Sequence, residues 1–149
     1  WFLTPILLTD ITFSSNVQIL GNTVKLLKSI GCIQAGISVL KPDTVIHPHT
    51  DDIYDDVLLS SKTYRLQMGI QIPENCELIV HDNKDIPESK TWEQNKILAF
   101  DSSRTHSAFN RSDKNRIVLI ADFKRDGCDI SSFELTRLKE YYLKLYRII

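Results

Sequence analysis

The sequence predicts a mainly β domain, an antiparallel barrel or jelly roll with a helix on either side. Between Cys32 and Phe123, short β-type runs ("CIQAGISVL", "YRLQMGIQI", "CELIVH", "NKILAF" and "NRIVLIADF") follow one another across polar or Pro-containing stretches, with no helical period between them. Many short strands at such close spacing point to a barrel or jelly roll. The stretches before and after carry apolar residues at helical spacing behind cap-type residues. At 149 residues, with 42% hydrophobic and 25% charged, the chain can bury one core.

The opening "WFLTPILLTD" is apolar, but it carries Pro5 and Asp10, lacks a basic lead and is too short to span a bilayer, so it reads as a buried segment rather than a signal. Residue 1 is Trp rather than Met, as in a piece of a longer chain whose targeting signal would be missing. A helix is predicted over residues 15–30: Ser14, Ser15 and Asn16 offer caps, Val17, Leu20, Val24 and Leu27 share one stripe despite Gly21, and Gly31 is a stop. The β core is predicted over 32–124. A second helix, 131–149, starts at a Ser131/Glu134 capping box and carries Leu135, Leu138, Tyr142, Leu145 and Ile149 on one stripe. It is expected to pack on its own sheet, although its length also allows dimerisation, so the chain is read as a monomer or homodimer. With no repeat, low-complexity stretch or linker, 1–149 is one domain.

A net charge of -1 argues against nucleic acid or an anionic membrane as partner, since neither would meet a broad positive field. Cys32, Cys76 and Cys128 lie far apart with no C-x-x-C pair, which gives neither a zinc-ribbon spacing nor an even disulfide framework. A reducing, intracellular compartment, the cytoplasm, is the default.

Two features carry chemistry. In "VIHPHTDD", His47, His49, Asp51 and Asp52 crowd a strand end. Residues two apart in a strand share a face at roughly 6.5 to 7 Å, so His49 and Asp51 can converge on one cation. The third ligand is then His106, in "SSRTHSAFN", and two imidazoles with one carboxylate are the ligand set of non-haem Fe(II) oxygenases. His47, on the same face as His49 by this rule, is a rival ligand, and a merely solvated polar strand end is the alternative. His81 is assigned to the surface. The second feature is Arg116, at the head of the apolar run "RIVLIADF". Inside a barrel it would hold a carboxylate through two parallel hydrogen bonds; alternatively it sits at an edge, paired with Asp101 or Asp113.

Taken together, "SVLKPDTVIHPHTD", "YRLQMGIQIP", "KILAFDSSRTHSAFN" and "NRIVLIADF", in this order and spacing, resemble the aspartyl/asparaginyl β-hydroxylase family of Fe(II)- and 2-oxoglutarate-dependent dioxygenases. The resemblance covers residues 36–124 and neither terminal helix. It implies a double-stranded β-helix, the jelly-roll or cupin core. It also implies that His49, Asp51 and His106 bind iron, that Arg116 pairs with the distal carboxylate of 2-oxoglutarate, and that Ser38, Arg65 and Gln67 line the cosubstrate site. Two residues depart from the family's vertebrate peptidyl enzymes. Those have Gly where this chain has Asp51, which completes His-x-Asp…His, and His where it has Gln67, which donates a hydrogen bond without charge.

The activity implied is hydroxylation of an unactivated C–H by O2 coupled to oxidative decarboxylation of 2-oxoglutarate. The substrate implied is an amino-acid side chain, such as Asp or Asn in a peptide or protein. A free amino acid or small metabolite is the alternative substrate, and a non-catalytic cupin-like binding module the alternative from another class. Residues 52–63 form a longer connection than in the peptidyl enzymes and read as a lid, with Tyr54, Asp55 and Asp56 closing over substrate and Val57, Leu58 and Leu59 as its anchor.

Overall fold

The apolar opening pairs as a strand and is buried only over Ile6, Leu7 and Leu8, while Trp1 and Phe2 stay exposed. The computed structural model of the chain describes residues 1–51 and 59–145, and it opens with a strand, β1 (Phe2–Leu8), followed by the short β2 (Ile11–Thr12). Helix α1 (Ser14–Ser29) comes next, with a non-helical residue, Leu20, just before Gly21. It stops where Gly31 takes φ +78, a conformation that glycine adopts without a Cβ penalty. The N–H of Ile30 and Gly31 close on the carbonyls of Leu26 and Lys28.

Eight further strands follow: β3 (Cys32–Leu40), β4 (Thr44–His49), β5 (Thr63–Gln71), β6 (Cys76–His81), β7 (Pro87–Lys90), β8 (Ile97–Phe100), β9 (His106–Asn110) and β10 (Arg116–Lys124). Helix α2 (Ser132–Leu145) closes the described chain. The polar β7 lacks a β-type composition and is an edge strand, where Pro87 at its first position removes no ladder bond.

From β3 onward the chain mostly alternates between two antiparallel sheets, one ordered β2-β1-β3-β10-β5-β8 and the other β4-β9-β6-β7. That is the predicted jelly roll. Between the sheets, Leu40, Leu78, Val80, Phe100, Ala108 and Val118 form the core together with Trp92. Outside the larger sheet, Val24 and Leu27 of α1 cover Ala35, Leu119 and Ala121. Leu138 and Tyr142 of α2 pack on Leu8 and Leu59. Fully burying a side chain of that size stabilises by about 1.5–3 kcal/mol, so packing holds α2 and its cap sets where it begins. Of the residues assigned to the lid, Leu59 is thus part of the core; Tyr54, Asp55, Asp56, Val57 and Leu58 lie outside the described residues. Among the described residues, no helix is long and apolar enough to cross a membrane.

The capping box forms as its spacing predicts. Ser131 N–H donates to Glu134 Oε2 (2.8 Å) and Glu134 N–H to Ser131 Oγ (3.2 Å), while Lys62 Nζ donates to Glu134 Oε1 at 2.5 Å. The Lys62 ammonium and the Ser131 donors hold the Glu134 carboxyl down at about 2. A carboxyl depressed on folding contributes stability that is fully present above its unfolded value of 4.5 and is lost as pH falls toward about 2. Glu134→Ala is therefore expected to cost about 1 kcal/mol near neutral pH. The difference from the parent should shrink as acid protonates Glu134, as read from urea unfolding at stepped pH.

Candidate active site

The ladder between β4 and β9 is regular down to Ile46↔Ala108, and its next pair is His49↔His106. β4 spends three residues where β9 spends two. The extra residue is a bulge at the His47–Pro48 step, where the proline has no N–H to give the ladder. The bulge turns His49 toward the mouth of the cavity, its side chain still 40% exposed, so His47 does not share its face as strict alternation requires. His47 is exposed, and its contribution is its carbonyl, which lies 2.8 Å from His49 Nδ1.

His106 is buried, its ring centroid 4.3 Å from that of His49. Its Nδ1 meets the Arg104 carbonyl at 2.9 Å. A ring nitrogen facing a carbonyl must be the N–H, so in both histidines Nε2 presents its lone pair. Burial lowers the His106 pKa, which favours this neutral form. Asp51 lies beyond the end of β4, its N–H held by the Ser102 carbonyl at 3.1 Å. Its Oδ1 is 3.6 Å from His49 Nε2 and its Oδ2 is 3.8 Å from His106 Nε2. One ligand atom from each of the three residues falls within 4.8 Å of the others. Two imidazole nitrogens and one carboxylate oxygen on one side of a cation suit Fe(II) with coordination positions left open.

Arg116 is among the largest fully buried side chains, and it is not at an edge. Asp101 pairs with Arg104 and Arg125 instead. Among the described residues no carboxylate faces Arg116. Its Nη2 donates to Ser38 Oγ at 3.4 Å, its guanidinium lies 4.7 Å from the Trp92 ring centroid, and its Nε is buried without a hydrogen-bond partner. Burial pushes the guanidinium down to about 10, still far above neutral, so the charge persists. A buried cation with an unmet donor beside a hydroxyl fits a carboxylate ligand.

Trp92, which the sequence reading passed over, is held over this spot by Gly69. A Cβ on Gly69 would lie 2.3 Å from the Glu93 carbonyl oxygen, and Gly69 exchanges backbone hydrogen bonds with Lys96 and Asn95. The absent side chain lets the 91–96 loop close on β5. There the Trp92 indole donates to Gln67 Oε1 at 2.7 Å, which leaves the Gln67 amide N–H groups for the cavity. Gly69→Ala is expected to push the loop off, with the roughly 1–3 kcal/mol loss of an overpacked site. It should also weaken 2-oxoglutarate binding about tenfold, for about 1.4 kcal/mol, by withdrawing Trp92 from Arg116 and Gln67. Calorimetric titration checks it.

Arg65 faces two carboxylates, Asp122 and Asp51. Asp122 was not singled out in the sequence, although a carboxylate inside "RIVLIADF" was the available signal. His49, Asp51, His106, Ser38, Arg65, Gln67 and Arg116 all line one cavity of ≈ 490 Å³, within the roughly 300–1,000 Å³ usual for small-molecule sites. His81 is outside it, facing Asp85 with Nδ1 2.7 Å from Oδ1.

Comparison with known proteins places the chain in a family. The family model described as aspartyl/asparaginyl beta-hydroxylase matches residues 1–126, so the match takes in α1, which the motifs alone did not. The chain is 31% identical over 110 residues to the ornithine lipid ester-linked acyl 2-hydroxylase of Rhizobium tropici, covering 72% of this chain and 36% of that one. It is 30% identical over 101 residues to the aspartyl/asparaginyl beta-hydroxylase of Homo sapiens, covering 66% of this chain and 12% of that one. The chain thus spans about a third or less of these relatives' length. In fold it resembles a 2OG-Fe(II) oxygenase family oxidoreductase from Burkholderia pseudomallei, with TM-score 0.58, 12% identity, and coverage of 82% of this chain and 67% of that one.

Proposed function

Because the chain belongs to the aspartyl/asparaginyl β-hydroxylase family, we propose that it is an Fe(II)- and 2-oxoglutarate-dependent hydroxylase of an amino-acid side chain, Asp or Asn in a peptide or protein. The observation that carries this reading is one cavity holding both the His49, Asp51 and His106 ligand set and a buried guanidinium that no carboxylate among the described residues neutralises. Fe(II), 2-oxoglutarate and O2 supply the oxidising chemistry that converts a C–H to C–OH, with succinate and carbon dioxide as the other products.

The chain's own groups do the rest. His49 and His106 offer Nε2 because the His47 and Arg104 carbonyls fix their tautomers. Arg116 and Ser38 take the distal carboxylate of the cosubstrate. Leu78, Trp92 and Ala108 keep water from that ion pair, which strengthens it.

A second reading, hydroxylation of an acyl chain, is favoured by one feature: Leu3, Pro5, Phe13 and Leu8 form an apolar wall of the same cavity. Succinate release measured against Asp- and Asn-containing peptides, free amino acids and acyl lipids tests both. Stimulation by peptides supports the first reading and stimulation by lipids the second; stimulation by free amino acids alone would replace both with a small-molecule hydroxylase. An absence of 2-oxoglutarate turnover with all of them, in protein loaded with Fe(II), counts against the activity itself.

A further inference from the structure

We propose that Asp122 is a positioning residue for the metal-binding carboxylate: it grips the Arg65 guanidinium, and Arg65 in turn holds Asp51 where it meets His49 and His106. This rests on the reading above that Asp51 is a metal ligand.

Asp122 and Arg65 are direct cross-strand partners on β10 and β5, and Asp122 is buried, at 3% exposure. Its two oxygens accept from one edge of the guanidinium, Oδ1 from Nε at 2.9 Å and Oδ2 from Nη2 at 2.8 Å. Gln34 Nε2 donates to Oδ2 from the other side, on β3. The two strands that flank β10 thus hold one carboxylate between them. Gripped through Nε and Nη2, Arg65 turns its remaining nitrogen, Nη1, onto Asp51 Oδ2. An arginine side chain otherwise carries about 2 kcal/mol of rotamer entropy, so a guanidinium without this grip would place Asp51 poorly. Asp51 lies past the end of β4, where one bond to the Ser102 carbonyl holds its backbone and Arg65 holds its side chain.

Charged neighbours distinguish the half-buried Arg65 from the buried Arg116. Arg65 already faces two carboxylates, Asp122 and Asp51, before any cosubstrate arrives. Among the described residues Arg116 faces none, and its Nε is left without a partner. The family resemblance puts Arg65 in the cosubstrate site, and its contacts tie it as well to Asp51 on the metal side of the same cavity.

The test is a double-mutant cycle on the whole chain, reading Mn(II) affinity by electron paramagnetic resonance without cosubstrate. Asp122→Asn is expected to weaken Mn(II) binding about tenfold, as loss of outer-shell support does, and to alter the spectrum of the bound ion. In an Asp51→Gly background the same change should have no further effect. Affinity for 2-oxoglutarate at saturating Mn(II) should stay within about twofold, under 0.5 kcal/mol. Should Asp122→Asn fail to fold, Gln34→Leu loosens the same carboxylate more gently and should weaken Mn(II) binding in the same Asp51-dependent way. Equal weakening in both backgrounds, or none in either, overturns the proposal and makes Asp122 structural. Loss of 2-oxoglutarate affinity with Mn(II) affinity intact overturns it by assigning Arg65 to the cosubstrate. If the parent binds Mn(II) no better than Asp51→Gly does, the metal reading itself has failed, a result distinct from the other two.

Discussion

Arg116→Met is expected to raise the 2-oxoglutarate concentration for half-saturation at least about thirtyfold, because truncating one partner of a buried, hydrogen-bonded charge pair costs about 2–5 kcal/mol. The same substitution should leave the ligand-free fold as stable as the parent or more so. In the absence of an anion, Arg116 is a buried cation with Nε unpartnered and with Ser38 and the Trp92 face beside it. Replacing such a charge with an apolar side chain of similar volume is often neutral or stabilising by 1–4 kcal/mol, roughly the range seen for buried ion pairs. Function and stability should therefore move in opposite directions, as expected where a binding site retains a group the fold alone does not need. Two measurements check this: a 2-oxoglutarate titration at saturating metal, and thermal unfolding with and without the cosubstrate. The parent should gain stability on adding 2-oxoglutarate and the variant should gain almost none. A folded variant that uses 2-oxoglutarate normally would make Arg116 a structural residue.

The β runs between Cys32 and Phe123 were legible because burial between two sheets demands β-branched and aromatic residues at short range, and that demand is written locally. What pairing at a distance decides was not legible. β1 is a strand because β3 offers it an edge, and "FLTPILL" with its internal Pro5 has no alternation to announce that. β7 is polar because it lies at an edge. In the site, His49 and His106 could be read from their place beside strand runs, but which of His47 and His49 faces inward depended on a bulge. Period-2 alternation puts both on one face, and the inserted residue separates them. Arg116 was visible as a charge in an apolar run, yet whether it met Asp101 or nothing was a question of distant contacts. Trp92 and Gln34 sit in unremarkable local sequence and matter only through Gln67, Arg116 and Asp122 across the fold.

His106→Ala and His47→Ala should give opposite results in one experiment, anaerobic titration with Fe(II) and 2-oxoglutarate. His106 is buried, its Nε2 3.8 Å from Asp51 Oδ2 and its Nδ1 fixed by the Arg104 carbonyl. Outer-shell partners of metal sites are worth about 10–100-fold in affinity, and loss of a ligand itself should exceed that, at least about a hundredfold. The visible charge-transfer band of the Fe(II) and 2-oxoglutarate complex should disappear with it. His47 presents only its backbone carbonyl to His49, which an alanine also provides, and its ring is exposed. His47→Ala should keep both the band and the affinity. Since His106→Ala also opens space beside Phe100, whose ring centroid is 5.2 Å away, unfolding is measured in parallel, and metal loss counts only in protein that melts cooperatively. A band that survives in folded His106→Ala removes His106 from the metal; a band lost in His47→Ala would mean that the bulge at Pro48 resolves the other way and that His47 is the ligand from β4.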